Sequence, residues 1–224
     1  MKTVNVAMDG PVGAGKSSVA REAARRLGFI YVDTGALYRT CGLYCRRNGI
    51  AITAGNDGLI GATLNEKVNL EIKLKDGVQH VFLNGEDVSE EIRLPDISMA
   101  ASEVSALPSV RRYLLETQRK VARENNVIMD GRDIGTVILP DADVKIFITA
   151  KAEIRAKRRY DELVGKGVET TFEEVLSDLN KRDYNDSHRA EAPLKQADDA
   201  LLLDTSELDF EATVERVIAL VNNR

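Results

Sequence analysis

The feature that most constrains the fold of this chain is a glycine-rich segment close to its N-terminus. Residues 10–17, Gly-Pro-Val-Gly-Ala-Gly-Lys-Ser, match the pattern G-x-x-x-x-G-K-[ST] of a P-loop. The segment lies between residues 4–8, whose apolar character predicts a strand, and residues 16–27, whose periodicity predicts an amphipathic helix. Glycines let such a loop curl its backbone N–H groups around an anion, and the following helix adds the positive end of its dipole. The chain is therefore expected to bind a nucleoside triphosphate.

Two polar side chains at the end of this loop have distinct expected roles. Lys16 can reach the β- and γ-phosphates, and the hydroxyl of Ser17 can ligate Mg²⁺. The residues expected to bind the triphosphate are Gly10, Pro11, Val12, Gly13, Ala14, Gly15, Lys16, Ser17 and Ser18.

Short apolar segments alternate with amphipathic ones along most of the chain, which predicts an α/β fold with a parallel sheet flanked by helices. Strands are expected at residues 4–8, 29–32, 127–129, 144–148 and 201–203, and helices at about 16–27, 36–48, 97–105, 109–124, 152–164, 172–183 and 207–221. Between the second and third of these strands, Asp76-Gly77 separates two apolar stretches, as in a β-hairpin. We therefore expect an α/β core that contains the P-loop, formed by residues 1–61 and 96–224, with a small antiparallel lobe inserted at 62–95.

Composition narrows the class of protein. The 224 residues include 31 Lys and Arg and 36 Asp and Glu, a net charge of −5, which argues against a chain that wraps nucleic acid. No apolar run approaches the ~20 residues that a membrane span needs, and the first residues lack the apolar core of a signal peptide. Two cysteines, Cys41 and Cys45, and two histidines, His80 and His188, do not form a structural zinc motif. We expect a cytoplasmic globular protein with free, packed thiols that binds neither nucleic acid nor membranes.

One motif favours a different class, the GTPase switches. Residues 180–183, Asn-Lys-Arg-Asp, match the guanine-binding pattern N-K-x-D, which follows an apolar strand in those proteins. Here the preceding residues Phe172, Val175 and Leu179 have helical spacing instead. A GTPase also needs D-x-x-G, and no aspartate in the sequence has glycine three residues later. The N-K-x-D match is therefore interpreted as accidental.

A second alternative is an ATPase motor or a transporter subunit, in which a strand ends in a metal-binding acidic residue. Asp130 follows the apolar stretch 127–129 in this way, although it could instead cap a turn. The next residues, Gly131-Arg132-Asp133, place an arginine and a second aspartate in a glycine-flanked turn. Such a turn is better suited to holding a small substrate.

Two groups of charged residues favour a small kinase. One face of a predicted helix presents Arg155, Arg158 and Arg159. One face of a later helix presents Arg182, Asp186 and Arg189. Taken alone, either group could be a solvated surface stripe. Late in a P-loop fold they resemble the mobile lid of a small kinase, where an arginine that neutralises the transferring phosphoryl group contributes on the order of 10³- to 10⁵-fold in rate.

Five separated blocks add a family resemblance that covers essentially the whole chain. The blocks are Asp9 to Ser17, Asp33 to Arg39, Gly85 to Ser89, Asp130 to Val137 and Arg182 to Ala190. Together they resemble the bacterial cytidylate kinase family, which belongs to the nucleoside monophosphate kinase superfamily. The inserted segment is similar to the enlarged monophosphate-binding lobe of that family, and the resemblance implies that residues 1–61 and 96–224 form a P-loop kinase core.

The resemblance implies a role for each matching residue. The residues that would line the acceptor site and hold its phosphate are Thr34, Tyr38, Arg39, Arg132 and Arg189. Those that would recognise the cytosine and the ribose are Ser102, Arg111, Asp133, Arg182 and Asp186. Lys16 and Arg132 are expected to act on the transferring phosphoryl group, together with the three arginines of the predicted lid at about residues 152–169, namely Arg155, Arg158 and Arg159.

The implied activity is the ATP-dependent phosphorylation of CMP and dCMP to CDP and dCDP, by a monomer that uses Mg²⁺. In-line transfer would need no general base, because the acceptor phosphate has a second pKa of about 6 and is already mostly dianionic. The residue chemistry agrees, since the carboxylate of Asp133 could accept from the cytosine amino group but would be left unpaired by uracil. Two alternatives stay open: a kinase of this kind that prefers UMP, and a non-catalytic nucleotide-dependent switch.

Overall fold

The computed structural model describes residues 3–75 and 78–224. Its strands and α-helices are, in chain order, β1 (Asn5–Asp9), α1 (Lys16–Leu27), β2 (Ile30–Asp33), α2 (Thr34–Arg47), α3 (Asp57–Lys67), β3 (Leu70–Lys75), β4 (Val78–Leu83), β5 (Glu86–Asp87), α4 (Pro95–Ser105), α5 (Pro108–Glu124), β6 (Val127–Gly131), β7 (Val144–Thr149), α6 (Ala152–Gly165), α7 (Phe172–His188), β8 (Leu201–Asp204) and α8 (Phe210–Asn222). Short 3₁₀ turns lie at Ala54–Asn56 and Glu91–Arg93, and a π-helix lies at Ile134–Ile138. The predicted hairpin turn, Asp76-Gly77, falls outside the described residues.

Five parallel strands form the central sheet in the order β2-β6-β1-β7-β8. In its register Asp33 lies beside Asp130, and Asp9 lies beside Gly131. The loops that follow β1, β2 and β6 therefore open at one edge of the sheet, where ligands bind in open α/β folds. The predicted α/β class, with a parallel sheet flanked by helices, is confirmed.

The strands of this sheet are apolar on both sides because helices cover both faces. Val6 and Met8 of β1 belong to an apolar cluster that includes Ala20 of α1. Ala7, which points to the opposite face, belongs instead to a cluster with Ala122 of α5. Alternate residues of one strand thus fix helices on the two faces.

Helix ends follow the local capping chemistry. Gly28 adopts a left-handed conformation, with φ of +69°, directly after α1. Asp33 caps α2 by accepting a hydrogen bond from Ala36 N at 3.0 Å. A capping box of Thr171 and Glu174 begins α7, which continues to His188, beyond the expected end at residue 183. Within the part of the chain that the structure describes, no helix is long and apolar enough to cross a membrane.

The antiparallel sheet β3-β4-β5 lies in the inserted segment. Its buried Val81 and Leu83 share one apolar cluster with Leu37 of α2 and Leu114 of α5. The proposed lobe at 62–95 therefore shares its apolar core with helices of the proposed kinase core, and its first residues fall within α3.

The sequence pattern does not predict α3, because Gly58 and Gly61 weaken its helical signal. A Cβ at Gly61 would lie 2.5 Å from the Cβ of Ser109, so glycine permits the close approach of α3 to α5. Ser109 N also donates to Asp57 Oδ1 at 3.0 Å, which ties the start of α5 to the start of α3. Packing and hydrogen bonding between the two helices override the unfavourable propensity of the glycines.

The two cysteines lie one turn apart on the buried side of α2. Cys41 and Cys45 are both free thiols, and both belong to the apolar cluster that includes Leu37 and Leu64. The expectation that they pack within the fold is confirmed.

Candidate active site

The P-loop connects β1 to α1 and depends on glycine at particular positions. Gly10 has φ of +149°, and a Cβ at this position would overlap the carbonyl oxygen of Ile148 in β7. Gly15, with φ of +81°, has no side chain to cap the first N–H groups of α1. These N–H groups are therefore available to an anion at the helix N-terminus.

Lys16 is buried at the base of a cavity beside this loop, which we call the P-loop cavity. Its Nζ donates a hydrogen bond to Pro11 O at 2.7 Å. Burial, together with the nearby charge of Arg132, lowers the pKa of Lys16 to about 7, against the attraction of Asp130. The cavity has a volume of about 750 Å³, and the arginines that line it are Arg39, Arg132, Arg158, Arg159 and Arg182. Its cationic lining suits a polyphosphate.

Ser17, at the start of α1, makes contact with the end of β6. Its hydroxyl donates to Asp130 Oδ2 at 2.7 Å, and Tyr31 OH donates to Asp130 Oδ1 at 3.0 Å. Burial and the neighbouring charge of Asp33 raise the pKa of Asp130 to about 6. A serine oxygen, a carboxylate and the phosphate-binding loop therefore meet at one place. This is a set of oxygen donors that suits a divalent cation such as Mg²⁺.

A second cavity of about 240 Å³ opens beside the ends of β2 and β6. Its lining includes all but one of the residues expected to bind the acceptor nucleotide: Thr34, Tyr38, Arg39, Ser102, Arg132, Asp133, Arg182, Asp186 and Arg189. The exception, Arg111, lies behind the lining and contacts it through Asp133. Residues that are far apart in the sequence thus form one pocket.

At one end of the second cavity, Asp133 is held between two arginines. Arg111 donates to its Oδ2, and Arg189 Nη2 lies 3.3 Å from its Oδ1. Burial raises the pKa of Asp133, although the charges of Arg111 and Arg189 oppose this rise. The guanidinium of Arg111 also lies 5.7 Å from the ring centre of Tyr38. This end of the cavity presents acceptor and donor groups side by side.

The other arginines of the second cavity form ion pairs within the protein. Arg132 Nε donates to Asp186 Oδ2 at 2.7 Å, and Arg39 Nη2 donates to Asp33 Oδ2 at 2.7 Å. The Nε of Arg39 is buried and has no hydrogen-bond partner among residues 3–75 and 78–224. An unpaired buried donor is costly, so this guanidinium is ready to bind an anionic ligand.

The two cavities meet, because several residues line both of them. The shared residues are Val12, Ser17, Arg39, Arg132 and Arg182. Three of these side chains are arginines. Positive charge therefore lies between a group bound in one cavity and a group bound in the other. The arrangement suits transfer of an anionic group between two ligands.

A sequence model of the cytidylate kinase family matches residues 6–223. The chain belongs to the cytidylate kinase family. It is 46% identical to the cytidylate kinase of Caldicellulosiruptor bescii over 98% of this chain and 96% of that protein. It is 50% identical to the cytidylate kinase of Caldanaerobacter subterraneus subsp. tengcongensis over 96% of this chain and 93% of that one. The resemblance inferred from the five sequence blocks is confirmed.

A crystal structure of an uncharacterized protein from Eubacterium ventriosum is similar in fold. It superposes with a TM-score of 0.56 at 12% identity, covering 99% of this chain and 100% of that chain. At this identity the likeness bears on the fold alone.

The three arginines of α6 lie in different environments in this cytidylate kinase family member. Arg158 and Arg159 line the P-loop cavity. Arg158 Nη2 donates to Thr205 O at 2.7 Å, and Arg159 Nη1 lies 2.8 Å from Glu162 Oε2. Arg155 is buried and does not line either cavity. Its guanidinium faces the backbone of the P-loop, so the structure does not bring this expected catalytic residue to the phosphate site.

No role was predicted from the sequence for Asp9, which lies at the end of β1. Its two oxygens accept hydrogen bonds from Ile134 N at 2.8 Å and Gly135 N at 2.7 Å. Burial raises the pKa of Asp9 to about 6, against these two backbone bonds. The residue before the P-loop therefore holds the turn that carries Asp133. The sequence signals were its position at the end of an apolar strand and at the start of the first of the five family blocks.

Proposed function

We propose that the chain transfers the γ-phosphoryl group of ATP to CMP and dCMP, giving ADP with CDP or dCDP. Its membership of the cytidylate kinase family supports phosphotransfer to CMP. The observation that carries the assignment is the junction of two cavities at Arg39, Arg132 and Arg182, one beside the P-loop and one ending at Asp133. In this proposal ATP occupies the P-loop cavity and the acceptor nucleotide occupies the second cavity.

The proposed base recognition uses Asp133 and Arg111, with Ser102 on the cavity wall. Cytosine has an amino group that donates a hydrogen bond and a neighbouring edge that accepts. Asp133 would accept from the amino group, and Arg111, which already lies against Asp133, would donate to the acceptor edge. Uracil has a carbonyl oxygen in place of the amino group, so it would place an acceptor, rather than a donor, against the carboxylate. Discrimination then comes from the lost hydrogen bond and from the repulsion between the two buried acceptors.

The proposed positions of the ribose and phosphate follow from the ion pairs. Arg182 and Asp186 would hold the ribose, while Arg39, Arg132 and Arg189 would hold the acceptor phosphate. The buried, unpartnered Nε of Arg39 supports a phosphate role, because a bound oxyanion would give it an acceptor. Thr34 already donates its hydroxyl to Asp130 O at 2.8 Å, so we propose that it shapes the cavity wall beside Tyr38.

The proposed chemistry is in-line transfer without a general base. The acceptor phosphate is mostly dianionic at neutral pH, so the barrier lies in bringing two polyanions together. Lys16, Arg132, Arg158 and Arg159 would neutralise the charge of the transferring group. Movement of the proposed lid, at about residues 152–169, would exclude water that could otherwise hydrolyse ATP.

Mg²⁺ fits the oxygen donors beside the P-loop. Ser17 donates its hydroxyl proton to Asp130, which leaves the serine oxygen able to ligate a cation. Mg²⁺ is commonly bound through one or two carboxylates together with substrate phosphates. We propose that Ser17 and Asp130 hold the ion, which when bound neutralises charge on the β- and γ-phosphates.

We further propose that the chain is a monomer that acts in the cytoplasm. Both cavities are lined by residues of a single chain, so no second copy is needed to build the site. The buried free thiols Cys41 and Cys45 fit a reducing compartment. Analytical ultracentrifugation, with and without ATP and CMP, tests the oligomeric state.

A panel assay tests the proposed reaction. The protein is incubated with MgATP and one nucleoside monophosphate at a time, and the release of ADP is followed by a coupled reaction. CMP and dCMP should give the highest kcat/KM, and UMP a lower one. Faster phosphorylation of GMP or shikimate than of CMP would refute the substrate assignment, as would tight ATP binding without acceptor-dependent turnover.

A further inference from the structure

Val12, in the middle of the P-loop, is held at both of its backbone polar groups by side chains from α6 and α7. Its N–H donates to Asp183 Oδ1 at 3.2 Å, and its carbonyl oxygen accepts from Arg155 Nη1 at 2.8 Å. The two side chains also pair with each other, at 2.7 Å between Arg155 Nη1 and Asp183 Oδ2. We call this set of three residues, Val12, Arg155 and Asp183, the Val12 clamp.

The buried environment of Arg155 explains why it belongs to the loop rather than to the cavity. Its side chain is 7% exposed, and its Nε donates to Ala150 O at 2.9 Å. A guanidinium buried to this extent needs a carboxylate partner and hydrogen-bond acceptors, which Asp183 and two backbone carbonyl groups supply. The loop also packs closely here, since a Cβ at Gly13 would lie 3.3 Å from the Cβ of Arg155. The Nε and Nη1 groups of Arg155 are therefore committed to the protein's own backbone and to Asp183.

The clamp is connected to Lys16 through one peptide unit. The carbonyl group of Pro11 and the N–H group of Val12 belong to the same planar peptide, so they cannot turn independently. The carbonyl oxygen accepts from Lys16 Nζ at 2.7 Å, while the N–H donates to Asp183. This unit can turn only about the ψ angle of Pro11 and the φ angle of Val12, and a hydrogen bond at each of its two polar groups restrains that rotation. Asp183 therefore fixes the carbonyl oxygen to which Lys16 is bound.

We propose that Arg155 and Asp183 are positioning residues, which hold the P-loop backbone and Lys16 in the arrangement that binds the phosphates of ATP. The same contacts join the helices that carry Arg158, Arg159 and Arg182 to the loop. Asp183 is the last residue of the N-K-x-D match, so its role here is to bind the P-loop backbone rather than a guanine base. This inference rests on the proposed function, because it takes ATP as the ligand of the P-loop cavity.

The test compares nucleotide binding in four variants. They are Arg155→Ala, Asp183→Ala, Asp183→Asn and, as a matched control on α6, Lys157→Ala. Lys157 is exposed, and its amine lies 2.6 Å from an oxygen of the equally exposed Asp161. ADP affinity is measured by calorimetry, the KM values for ATP and CMP by the coupled assay, and the folded state by thermal melting.

Arg155→Ala should weaken ADP binding by about 10-fold and raise the KM for ATP to a similar extent, because the loop loses its fixed geometry. The KM for CMP should rise less than the KM for ATP, because Val12 lines the second cavity but Arg155, Asp183 and Lys16 do not. Asp183→Asn keeps an oxygen that can accept from Val12 N–H, so its loss of ADP affinity should be smaller than that of Asp183→Ala. Lys157→Ala should bind ADP like the wild type.

A merely structural role would lower the melting temperature without separating the KM for ATP from the KM for CMP. A folded Arg155→Ala variant with wild-type ADP affinity would therefore overturn the proposal. If Arg155→Ala does not fold, the comparison of Asp183→Ala with Asp183→Asn tests the proposal instead. Equal losses of ADP affinity in these two variants would overturn the proposal. Failure of the wild-type protein to bind ADP would overturn the proposed function as well, whereas normal wild-type binding with unaltered variants would overturn the clamp alone.

Discussion

Replacing Asp133 with alanine should change the preference between CMP and UMP more than it changes catalysis in general. The side chain is 4% exposed, accepts from Arg111, and lies 3.3 Å from Arg189. It therefore presents a buried, charged acceptor at the base-binding end of the second cavity. A hydrogen bond to a charged group contributes about 1.5–3 kcal/mol. Loss of the bond to the cytosine amino group should thus lower kcat/KM for CMP by roughly 10- to 150-fold.

UMP should lose much less, because its base has no donor at that position for the carboxylate to accept. The assay measures kcat/KM for both nucleotides by coupled ADP release, in the wild type and in Asp133→Ala. Thermal melting checks that the variant is folded, since Arg111 and Arg189 lose a buried partner. Asp186→Ala is the matched control in the same cavity, because the ribose that it is proposed to bind is common to CMP and UMP. Equal losses for the two nucleotides in Asp133→Ala would refute the role of Asp133 in base recognition.

Two further predictions concern stability. Lys16→Met should abolish turnover yet stabilise the nucleotide-free protein, because the pKa of Lys16 is lowered from 10.5 to about 7 by burial. Between these pH values the folded protein binds fewer protons than the unfolded chain, so stability rises with pH and the buried charge is most costly at and below about pH 7. Melting curves should show a gain of about 1–2 kcal/mol, roughly 2–8 °C, near about pH 6 and a smaller gain near about pH 9; equal gains would contradict this. Gly61→Ala should destabilise the protein by about 1–3 kcal/mol through the 2.5 Å approach to Ser109, whereas Gly58→Ala, with open space around it in the same helix, should stabilise it by about 0.4–1 kcal/mol. Urea unfolding compares the two, and a shift of the same sign in both would contradict the packing argument.

Local spacing made the P-loop and the parallel core predictable. The glycines, Lys16 and Ser17 act through positions fixed within a few residues of one another, so a single segment contains the whole signal. Contacts that depend on which strands are neighbours could not be predicted from a single segment of the sequence. Asp9 reaches the turn after β6 because β1 lies next to β6, and Asp130 reaches Tyr31 because β2 lies on the other side of β6. The sequence of a strand does not state which strand is its neighbour.

Helical spacing predicted shared faces but not depth of burial. Arg155, Arg158 and Arg159 were expected to act together, yet Arg155 is buried against the P-loop while the other two line a cavity. A helix that lies between a loop and a cavity presents neighbouring positions to different surroundings, and periodicity alone does not distinguish them. The pairing of Arg155 with Asp183 also depends on how α6 packs against α7, which sequence spacing does not encode.

The most direct test of the central claim is a competition experiment with the wild-type protein. MgATP is mixed with equal concentrations of CMP, dCMP, UMP and GMP, and the nucleoside diphosphates are separated and quantified over time. The two-cavity site, with Asp133 at the base end, predicts that CDP and dCDP form first, each in step with ADP, while UDP accumulates slowly. Earlier formation of GDP or UDP, or release of ADP without any nucleoside diphosphate product, would contradict it.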